Sequence, residues 1–486
     1  MNIVFNPKEN PEQPLYKRIL EYLIDAIETG RLPHGAVLPS SRDLADSFSV
    51  SRDTIVKCYR ELQRLSYVGT NATKGTYVIA RTVKSANLGG AIQPGFFDQK
   101  RLSTYGQSLA RVCESELYTV DFADVAAFNY GAVPKSALPM KRWREIMQQQ
   151  CVPETLRNLQ YEPDILGRVE LRQALTGYLD RNKGLRCTVG EVAVFSISLA
   201  ATNLVCRLLL EPGDTVAIEE PGYAGPKKLA AAQGLKLYPV KVDSEGLMVE
   251  ALKQSKQRIK LVYVTPNHHE PLGVTMSLSR RKELVAWAQS EGAWIIEDDY
   301  DGNFHYAGLQ PTSLRGLDGG ENVIYLSTFW QILYPLTSIS YCVIPEKLAP
   351  LFAAAKVQTE GLSEAIVQLT LAQIIDEGYL ERHCRKIQKT FNARRIALTQ
   401  FLKRGLGKDI IILDHCAGNH LIAYLSKWTE QEILAAAVTS TLPLISTRSY
   451  YLQSASQGEF AINFACLHED QIKAVVSSFV GRLKDL

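Results

Sequence analysis

Polar and basic side chains gather in one short amphipathic segment, SVSRDTIVKCYREL, which begins at Ser49. At helical spacing its apolar residues share one face, which leaves Ser51, Arg52, Thr54 and Lys57 on the other face. Arginine and serine side chains can contact guanine edges and DNA phosphates. The segment therefore predicts contact with DNA, and a small helical domain that contacts protein is the alternative.

Two other groups of residues lack the pattern of a chemical site. His268, His269 and Glu270 are consecutive, so their side chains tend to point apart, and the sequence places no third metal ligand beside them. The nine cysteines are scattered, odd in number and never arranged as CxxC. We therefore expect reduced thiols, with neither a disulfide framework nor a metal site.

The elements around the first segment predict a winged helix-turn-helix. PLYKRILEYLIDAIETGRL has apolar residues at helical spacing, and two short helices follow it with a tight turn at Ser49-Val50 between them. Ser40 or Ser41 can cap the first of the two helices and Ser51 the second. GTNATKGTYVIA then reads as two short strands that turn around Lys74-Gly75, which makes the wing.

Bulk composition places limits on the protein class. A chain of 486 residues with 46% apolar residues predicts two or three soluble domains. A net charge of +3 is too small to mark a nucleic-acid protein, so any DNA contact depends on local placement. The sequence has neither an apolar signal core nor a run of eighteen apolar residues, which predicts a cytoplasmic protein with no membrane partner.

The remainder of the chain predicts a linker and a large α/β domain. Residues 83–117 show no sustained period and are expected to be a linker. Apolar strands then alternate with amphipathic helices, which favours a mainly parallel sheet covered on both faces. We expect a multidomain chain, with an α+β winged helix at 1–82, a domain at 118–486 whose large α/β part covers about 118–348, and a smaller α+β part at about 349–486.

Two resemblances follow from these motifs. The order of LPSSRDLA, SVSRDTI and KGTYV resembles the GntR-type winged helix, which implies that Arg42, Ser51, Arg52, Thr54 and Gly75 meet DNA, with Lys57 and Lys74 beside them. YEPDILGRVELRQALTGYL, LLLEPGDTVAIEEPGYAG and TPNHHEPLGVTMSLSRRKELVAWAQSEGAWIIEDDYDGNFHY resemble the MocR family. That family joins a GntR-type winged helix to a fold-type-I aminotransferase-like domain, and the similarity covers nearly the whole chain except the linker.

The MocR resemblance implies a site for pyridoxal phosphate, and part of that site is present. In the family an acid in the EDDYD segment holds the pyridine nitrogen, which corresponds to Asp298. Tyr300 of the same segment reaches the phenolic oxygen of the cofactor, and Tyr223 in the PGY segment stacks on its ring. Ordinary strand-end packing is the alternative role for Asp298 and Tyr300.

The rest of the implied site is missing from STFWQILYP and its surroundings. Gln331 stands where the family has the Schiff-base lysine, and an amide nitrogen cannot condense with an aldehyde. Trp330 replaces a phosphate-binding serine, Ser338 replaces a phosphate-binding arginine, and Ile197 replaces a glycine of the phosphate cradle. Ala461 stands where the family has the arginine for the substrate carboxylate. The larger Trp330 and Ile197 are expected to fill part of the vacated cavity.

These observations predict a sequence-specific DNA-binding transcription regulator with no catalytic residue and no covalent pyridoxal phosphate. Its second domain would serve dimerisation and effector sensing. By resemblance, the partners are a double-stranded DNA operator and a second copy in a head-to-tail homodimer, with an unidentified small molecule or protein as effector. Noncovalent binding of pyridoxal phosphate is one alternative, and an active aminotransferase is the other.

Overall fold

The computed structural model describes residues 14–28, 32, 35–65, 67–71, 75–79, 99–114, 134, 137–159, 165–306, 311–361, 364–413, 417–453 and 458–486. The chain forms two compact units, Met1–Gly90 and Ala91–Leu486. Across the described ranges, no helix is long and apolar enough to cross a membrane.

The first unit is a three-helix domain with a two-stranded wing, as expected. Its described elements are α1 (Leu15–Glu28), α2 (Ser41–Phe48), α3 (Arg52–Arg64), β1 (Val68–Asn71) and β2 (Gly75–Val78). The strands pair antiparallel, with Asn71 opposite Gly75. The predicted position of Lys74 lies outside the described residues.

Serine residues set the boundaries of the two short helices. The Ser40 side chain accepts a hydrogen bond from the amide of Asp43 at the start of α2. The Ser51 side chain accepts one from the amide of Thr54 at the start of α3. Between the helices, Ser49 adopts a left-handed conformation with φ 54°. Such caps satisfy amides that a first turn leaves unpaired, so the serines fix where α2 and α3 begin.

The second unit contains an eight-stranded sheet in the order β3-β10-β9-β8-β7-β4-β5-β6. Its strands are Val192–Phe195 (β3), Thr215–Glu220 (β4), Lys236–Asp243 (β5), Gly246–Leu247 (β6), Ile259–Val264 (β7), Trp294–Asp299 (β8), Val323–Thr328 (β9) and Ser340–Val343 (β10). β4, β5, β7, β8 and β9 pair in parallel, whereas β10 is antiparallel to both β3 and β9. β3 therefore runs parallel to β9, and the sheet is mixed but mainly parallel.

Helices follow the strands and cover the sheet. Those described in this unit are Thr104–Glu114 (α4), Met140–Gln150 (α5), Pro153–Asn158 (α6), Val169–Lys183 (α7), Ser198–Leu209 (α8), Ala224–Ala232 (α9), Val249–Lys253 (α10), Leu278–Glu291 (α11), Trp330–Leu333 (α12), Ala349–Thr359 (α13), Ala365–Asp376 (α14), Tyr379–Leu406 (α15), Glu430–Ser440 (α16) and Glu469–Lys484 (α17). Ile295 packs in a cluster with Leu284 of α11, and its neighbour Ile296 packs in another with Leu204 of α8. Because adjacent strand residues point to opposite faces, both faces of the sheet are buried.

A smaller sheet closes the C-terminal part of the chain. Its strands are Ile411–Leu413 (β11), His420–Tyr424 (β12), Leu444–Ser446 (β13) and Glu459–Asn463 (β14), in the order β11-β12-β14-β13. All of its pairings are antiparallel. This sheet and the long α15 form the α+β part that the sequence predicts.

The expectation of an irregular linker over 83–117 is wrong in part. Thr104–Glu114 forms a helix within that segment, and it packs against α9. Ala110 and Val112 are buried there, whereas Tyr105 and Leu109 are exposed. With so few buried positions, the apolar residues of this segment show no helical spacing. The sequence alone therefore did not predict the helix α4.

Candidate functional site

The candidate ligand site lies where the parallel strands of the large sheet end. Side chains 196–197 follow β3, Tyr223 follows β4, residues 265–270 follow β7, Tyr300 follows β8, and Gln331 follows β9. The carboxyl ends of parallel strands meet at one edge of the sheet, and ligands of open α/β sheets bind outside that edge. The topology therefore brings together residues that are far apart in the sequence.

Asp298, at the end of β8, is buried without a cation. It is 3% exposed, and its Oδ2 accepts a hydrogen bond from the Tyr263 hydroxyl. Oδ1 has no hydrogen-bond partner among the described residues. Burial raises the pKa of Asp298 to about 7, against the lowering effect of Tyr263, and the charges of Asp299 and Asp301 raise it further. The carboxylate is thus half neutral near pH 7 and keeps one oxygen free for a donor.

The neighbouring Asp299 is a structural acid. Its Oδ2 lies 2.8 Å from Nζ of Lys183 and accepts a hydrogen bond of 2.6 Å from the Tyr325 hydroxyl. Its Oδ1 accepts one of 2.7 Å from the Asn267 amide. Burial would raise the pKa of Asp299, but Lys183 and these hydrogen bonds lower it below its ordinary value. Asp299 is therefore fully ionised and fully paired.

Tyr223 places an aromatic ring near Asp298. It forms the N-terminal boundary of α9, and a Cβ on Gly225 would come within 2.7 Å of its Cζ. Burial raises the pKa of Tyr223, and the charges of Glu270 and Asp298 add to the effect. The hydroxyl of Tyr450, from the C-terminal part, forms a hydrogen bond with Glu270. An acid and a tyrosine from distant segments thus join Tyr223 and Asp298 in one site.

Tyr300 belongs to a buried histidine cluster behind Asp298. Nδ1 of His268 lies 3.0 Å from the Tyr300 hydroxyl and 2.8 Å from Oδ2 of Asp301. Nε2 of His420 lies 2.7 Å from the carbonyl oxygen of Pro271. The cluster ties the small sheet to the loop after β7.

Gln331 is 6% exposed on α12 and bonded to the C-terminal part. Its Oε1 accepts a hydrogen bond of 3.2 Å from the Asn419 amide. The most buried lysines of the described chain are each beside a carboxylate, with Lys183 near Asp299, Lys227 near Glu220 and Lys356 near Glu360. Burial lowers the pKa of Lys227, which also donates to the carbonyl of Tyr450.

The residues implied for the phosphate are arranged differently from a phosphate cup. Ile197 is 42% exposed, and Trp330 stacks on Tyr334 with ring centroids 3.7 Å apart. The expectation that these two side chains fill a vacated cavity is therefore not met within this chain. Ser338 contributes a backbone contact, since its carbonyl accepts a hydrogen bond from the Ser340 hydroxyl at 3.3 Å.

A carboxylate already uses donors at the start of the implied cradle. Oε1 of Glu360 accepts hydrogen bonds from both the amide and the hydroxyl of Ser196, at 3.2 and 2.5 Å. Its Oε2 lies 3.2 Å from Nζ of Lys356, which is completely buried. Ala461 is also completely buried and lies between Ile422 and Ile445, so that face of the small sheet offers no cation at this point.

These contacts fit the pyridine ring of pyridoxal phosphate and do not fit its imine or its phosphate. The free Oδ1 of Asp298 and the ring of Tyr223 suit a protonated nitrogen heterocycle. The amide of Gln331 cannot form an imine, and the Ser196 donors are taken by Glu360. The residues present therefore do not fit the covalently bound, phosphate-anchored cofactor.

The predicted DNA-binding residues lie around the start of α3. Arg42, Ser51 and Arg52 are exposed and Thr54 is half-buried. The Ser51 and Thr54 hydroxyls are 2.8 Å apart, and Arg52 donates to the Ser41 hydroxyl at 3.4 Å. Gly75 is exposed in the wing with φ +75°, a conformation that favours glycine.

Lys57 stands apart from the other predicted DNA contacts. Its Nζ lies 3.7 Å from the centroid of the Tyr16 ring on α1. A cation held over an aromatic ring is partly committed to that contact. Lys57 therefore also joins α3 to α1 within the domain.

Sequence reasoning did not identify several residues of the site. Tyr263 and Asn419 form hydrogen bonds with the predicted residues Asp298 and Gln331. Glu360 bonds to Ser196, and Tyr450 bonds to Glu270. The tertiary fold alone creates these contacts. Of these residues, Glu270 had a signal, because it is an acid next to two histidines in a segment that follows a predicted strand.

Two protein families match this chain in succession. Residues 15–78 match the bacterial regulatory proteins of the gntR family, and residues 125–479 match aminotransferase class I and II. The probable rhizopine catabolism regulatory protein MocR of Rhizobium meliloti is 28% identical over 423 residues, covering 87% of this chain and 84% of that protein. The HTH-type transcriptional regulator YdeL of Bacillus subtilis is 29% identical over 466 residues, covering 95% of each chain.

Solved structures share the fold of the second unit. A kynurenine aminotransferase of Pyrococcus horikoshii in complex with PMP matches with a TM-score of 0.66 and 25% identity. The match covers 73% of this chain and 89% of that one. The fold-type-I aminotransferase-like architecture is thus common to both proteins.

Replacement of Asp298 by asparagine should change the pH dependence of stability. The pKa of Asp298 is about 7 in the folded chain and near 3.8 ordinarily, so the folded state binds more protons between these values. Wild-type stability therefore falls as pH rises from about 4 to 7, and Asp298→Asn removes this loss. We expect the difference in melting temperature, Asp298→Asn minus wild type, to be larger and more positive at pH 8 than at pH 5. A difference that stays constant with pH would contradict the buried, unpaired carboxylate.

Asp299→Asn should lower the free energy of unfolding, because it leaves Lys183 buried beside a neutral group. Breaking a buried ion pair destabilises a protein by about 3–5 kcal/mol. Denaturant unfolding measures the loss, and Asp180→Asn is the control because its partner Arg186 is 90% exposed. The control should lose less than about 1 kcal/mol. Equal effects of the two substitutions would show that Asp299 is not a buried, charge-paired acid.

Proposed function

Because this chain belongs to the MocR-type regulators, which carry a gntR-family domain ahead of an aminotransferase class I and II domain, we propose that its second unit senses an effector without covalent pyridoxal phosphate. The chain is an HTH-type transcriptional regulator. In this proposal the first unit binds an operator in double-stranded DNA. The second unit dimerises and changes the affinity of the first unit for that operator when its ligand binds.

The single observation that carries the proposal is the state of Gln331. It takes the position implied for the Schiff-base lysine, and Asn419 satisfies its carbonyl inside the protein. A buried amide with a hydrogen-bond partner is a stable structural group with no nucleophilic nitrogen. The sequence has no lysine between Lys260 and Lys347 except Lys282, which lies within α11. Transamination needs that nitrogen, so we propose that the chain is not an aminotransferase.

The exposed start of α3 supports the DNA-binding role. In a helix-turn-helix the first residues of the second helix enter the major groove. Arg52 and Ser51 occupy that end of α3, and Arg42 is exposed on α2. We propose that Arg42, Ser51, Arg52 and Thr54 contact the operator, with Lys57, Lys74 and Gly75 at the edges of the contact.

Dimerisation follows from the family resemblance. We propose a head-to-tail homodimer in which each winged helix reaches the partner. Two DNA-binding units then recognise two half-sites, whose spacing reflects the geometry of the dimer.

Noncovalent binding of pyridoxal phosphate is the second candidate. The observation that favours it is the free Oδ1 of Asp298, beside the aromatic ring of Tyr223. These groups suit the pyridine ring of the cofactor even without the imine. This candidate keeps the regulatory role and differs only in the ligand.

The covalent state is tested by titrating the purified chain with pyridoxal phosphate, reducing with borohydride and mapping the peptides. We expect no stoichiometric adduct in the wild type, because no buried lysine is free of a carboxylate in the described chain. Gln331→Lys is the matched variant, and it should also remain unmodified because Glu360 occupies the Ser196 donors. A wild-type adduct at Lys227 would overturn the proposal, and an adduct in Gln331→Lys alone would show an intact phosphate site.

DNA binding is tested on a site selected by the full chain from a random-sequence library. Arg52→Ala should weaken binding by about 1–3 kcal/mol if it reads a base, which is up to about a hundredfold. Arg64→Ala is the control, because Arg64 lies at the other end of α3, pairs with Glu61 at 2.9 Å and has a side chain 69% exposed. Equal losses in the two variants would indicate a general charge effect and contradict specific contact by the start of α3.

A further inference from the structure

The acids at the strand ends differ in how their charge is balanced. Four have a basic neighbour: Asp299 with Lys183 at 2.8 Å, Asp301 with His268 at 2.8 Å, Glu220 with Lys227 at 3.4 Å and Glu219 with His269 at 3.7 Å. Burial raises the pKa of Glu219 to about 8, so this acid is mostly neutral at pH 7 and bonds to Thr265. Asp298 is only half neutral near pH 7, because its pKa is raised to about 7, and among the described residues its Oδ2 meets the neutral Tyr263 while its Oδ1 lacks a partner.

The surroundings of Asp298 favour a cation over an anion. Tyr223 and Tyr263 both feel the charges of Asp298 and Glu270, so the two acids and the two aromatic rings share one site. A second acid beside Asp298 repels an anionic ligand. Aromatic faces add attraction for a cation, because their ring quadrupoles are negative above the plane.

The segment that follows β3 is unsuited to a phosphate group. The amide and hydroxyl of Ser196 both donate to Glu360, and the nearby Lys356 is paired with the same carboxylate. A phosphate would have to displace Glu360, and that carboxylate would then be left beside it. Trp330 and Ser338 supply no positive charge in this part of the chain.

We propose that the site at the strand ends binds an aromatic cation that carries an N–H donor and no phosphate group. The cationic N–H donates to Oδ1 of Asp298, and the aromatic ring lies against Tyr223. Burial of such a ligand gives Asp298 the cation that the protein itself does not supply. The inference rests on the proposed function, because it names the chemical class of the effector sensed by the second unit.

The proposal is tested by calorimetric binding to the full chain without DNA, using two matched probe pairs. Benzylamine and benzoate share a ring and differ in charge, whereas pyridoxamine and pyridoxamine phosphate differ in the phosphate and have no aldehyde. We expect benzylamine and pyridoxamine to bind and benzoate not to bind. The phosphate should give no gain in affinity. Tighter binding of benzoate than of benzylamine, or a tenfold gain from the phosphate, would overturn the proposal.

Two variants test whether the charge of Asp298 holds the amine. Asp298→Asn keeps the shape of the side chain and should weaken benzylamine binding at least about tenfold, which corresponds to about 1.4 kcal/mol. Asp180→Asn is the matched control, because it removes a carboxylate whose partner Arg186 has a side chain 90% exposed, and it should bind benzylamine within about threefold of wild type. Equal affinity of wild type and Asp298→Asn would contradict the proposed contact, and the probe preferences of wild type test the ligand class independently of either variant.

The same probes distinguish this inference from the proposed function. Operator binding is measured separately, with and without benzylamine. Amine binding that depends on Asp298 supports the ligand class even where operator affinity does not respond, a result that would overturn effector sensing alone. Operator binding with no affinity for either amine would overturn the ligand class and leave the DNA-binding role intact.

Discussion

A buried carboxylate without a cation is the constraint on which the ligand site depends. Removing an ionised acid from water is costly unless a partner compensates it, and among the residues that the structure describes Asp298 has only the neutral Tyr263. The protein meets this cost by a pKa raised to about 7, which keeps the acid partly neutral. Asp299, one residue away, shows the other solution, because Lys183 keeps it ionised. Alternation along β8 thus separates an acid with a neutral partner from an acid that is paired with a lysine.

The parallel sheet explains why distant segments meet around Asp298. Its strands end at one edge, so the turns after β3, β4, β7, β8 and β9 converge there. The C-terminal part adds Asn419, His420 and Tyr450 to the same region through hydrogen bonds to Gln331, Pro271 and Glu270. A ligand that alters these contacts would act on both parts of the second unit.

The proposed loss of catalytic chemistry is compatible with retention of the fold because different residues serve them. Gln331 has an amide that Asn419 satisfies, so its burial costs little. Glu360 and Lys356 satisfy each other and Ser196 where the resemblance implies a phosphate. The first unit depends on none of these residues, since its core forms from its own helices and wing. Under the proposed function, the second unit therefore stays a stable fold without an imine-forming nitrogen.

Local sequence determined the elements of both units. Ser40 and Ser51 cap their helices as their positions predict, and the strands of the large sheet lie in the apolar runs, because caps and burial patterns depend on near neighbours. The sequence also shows directly that position 331 is a glutamine and not a lysine. The helix α4 was not predictable from the sequence, since only Ala110 and Val112 mark its buried side. The tertiary structure alone decided which acid is paired: Asp298 and Asp299 are identical in the sequence, and only their opposite directions from β8 place one beside Lys183 and the other beside Tyr263.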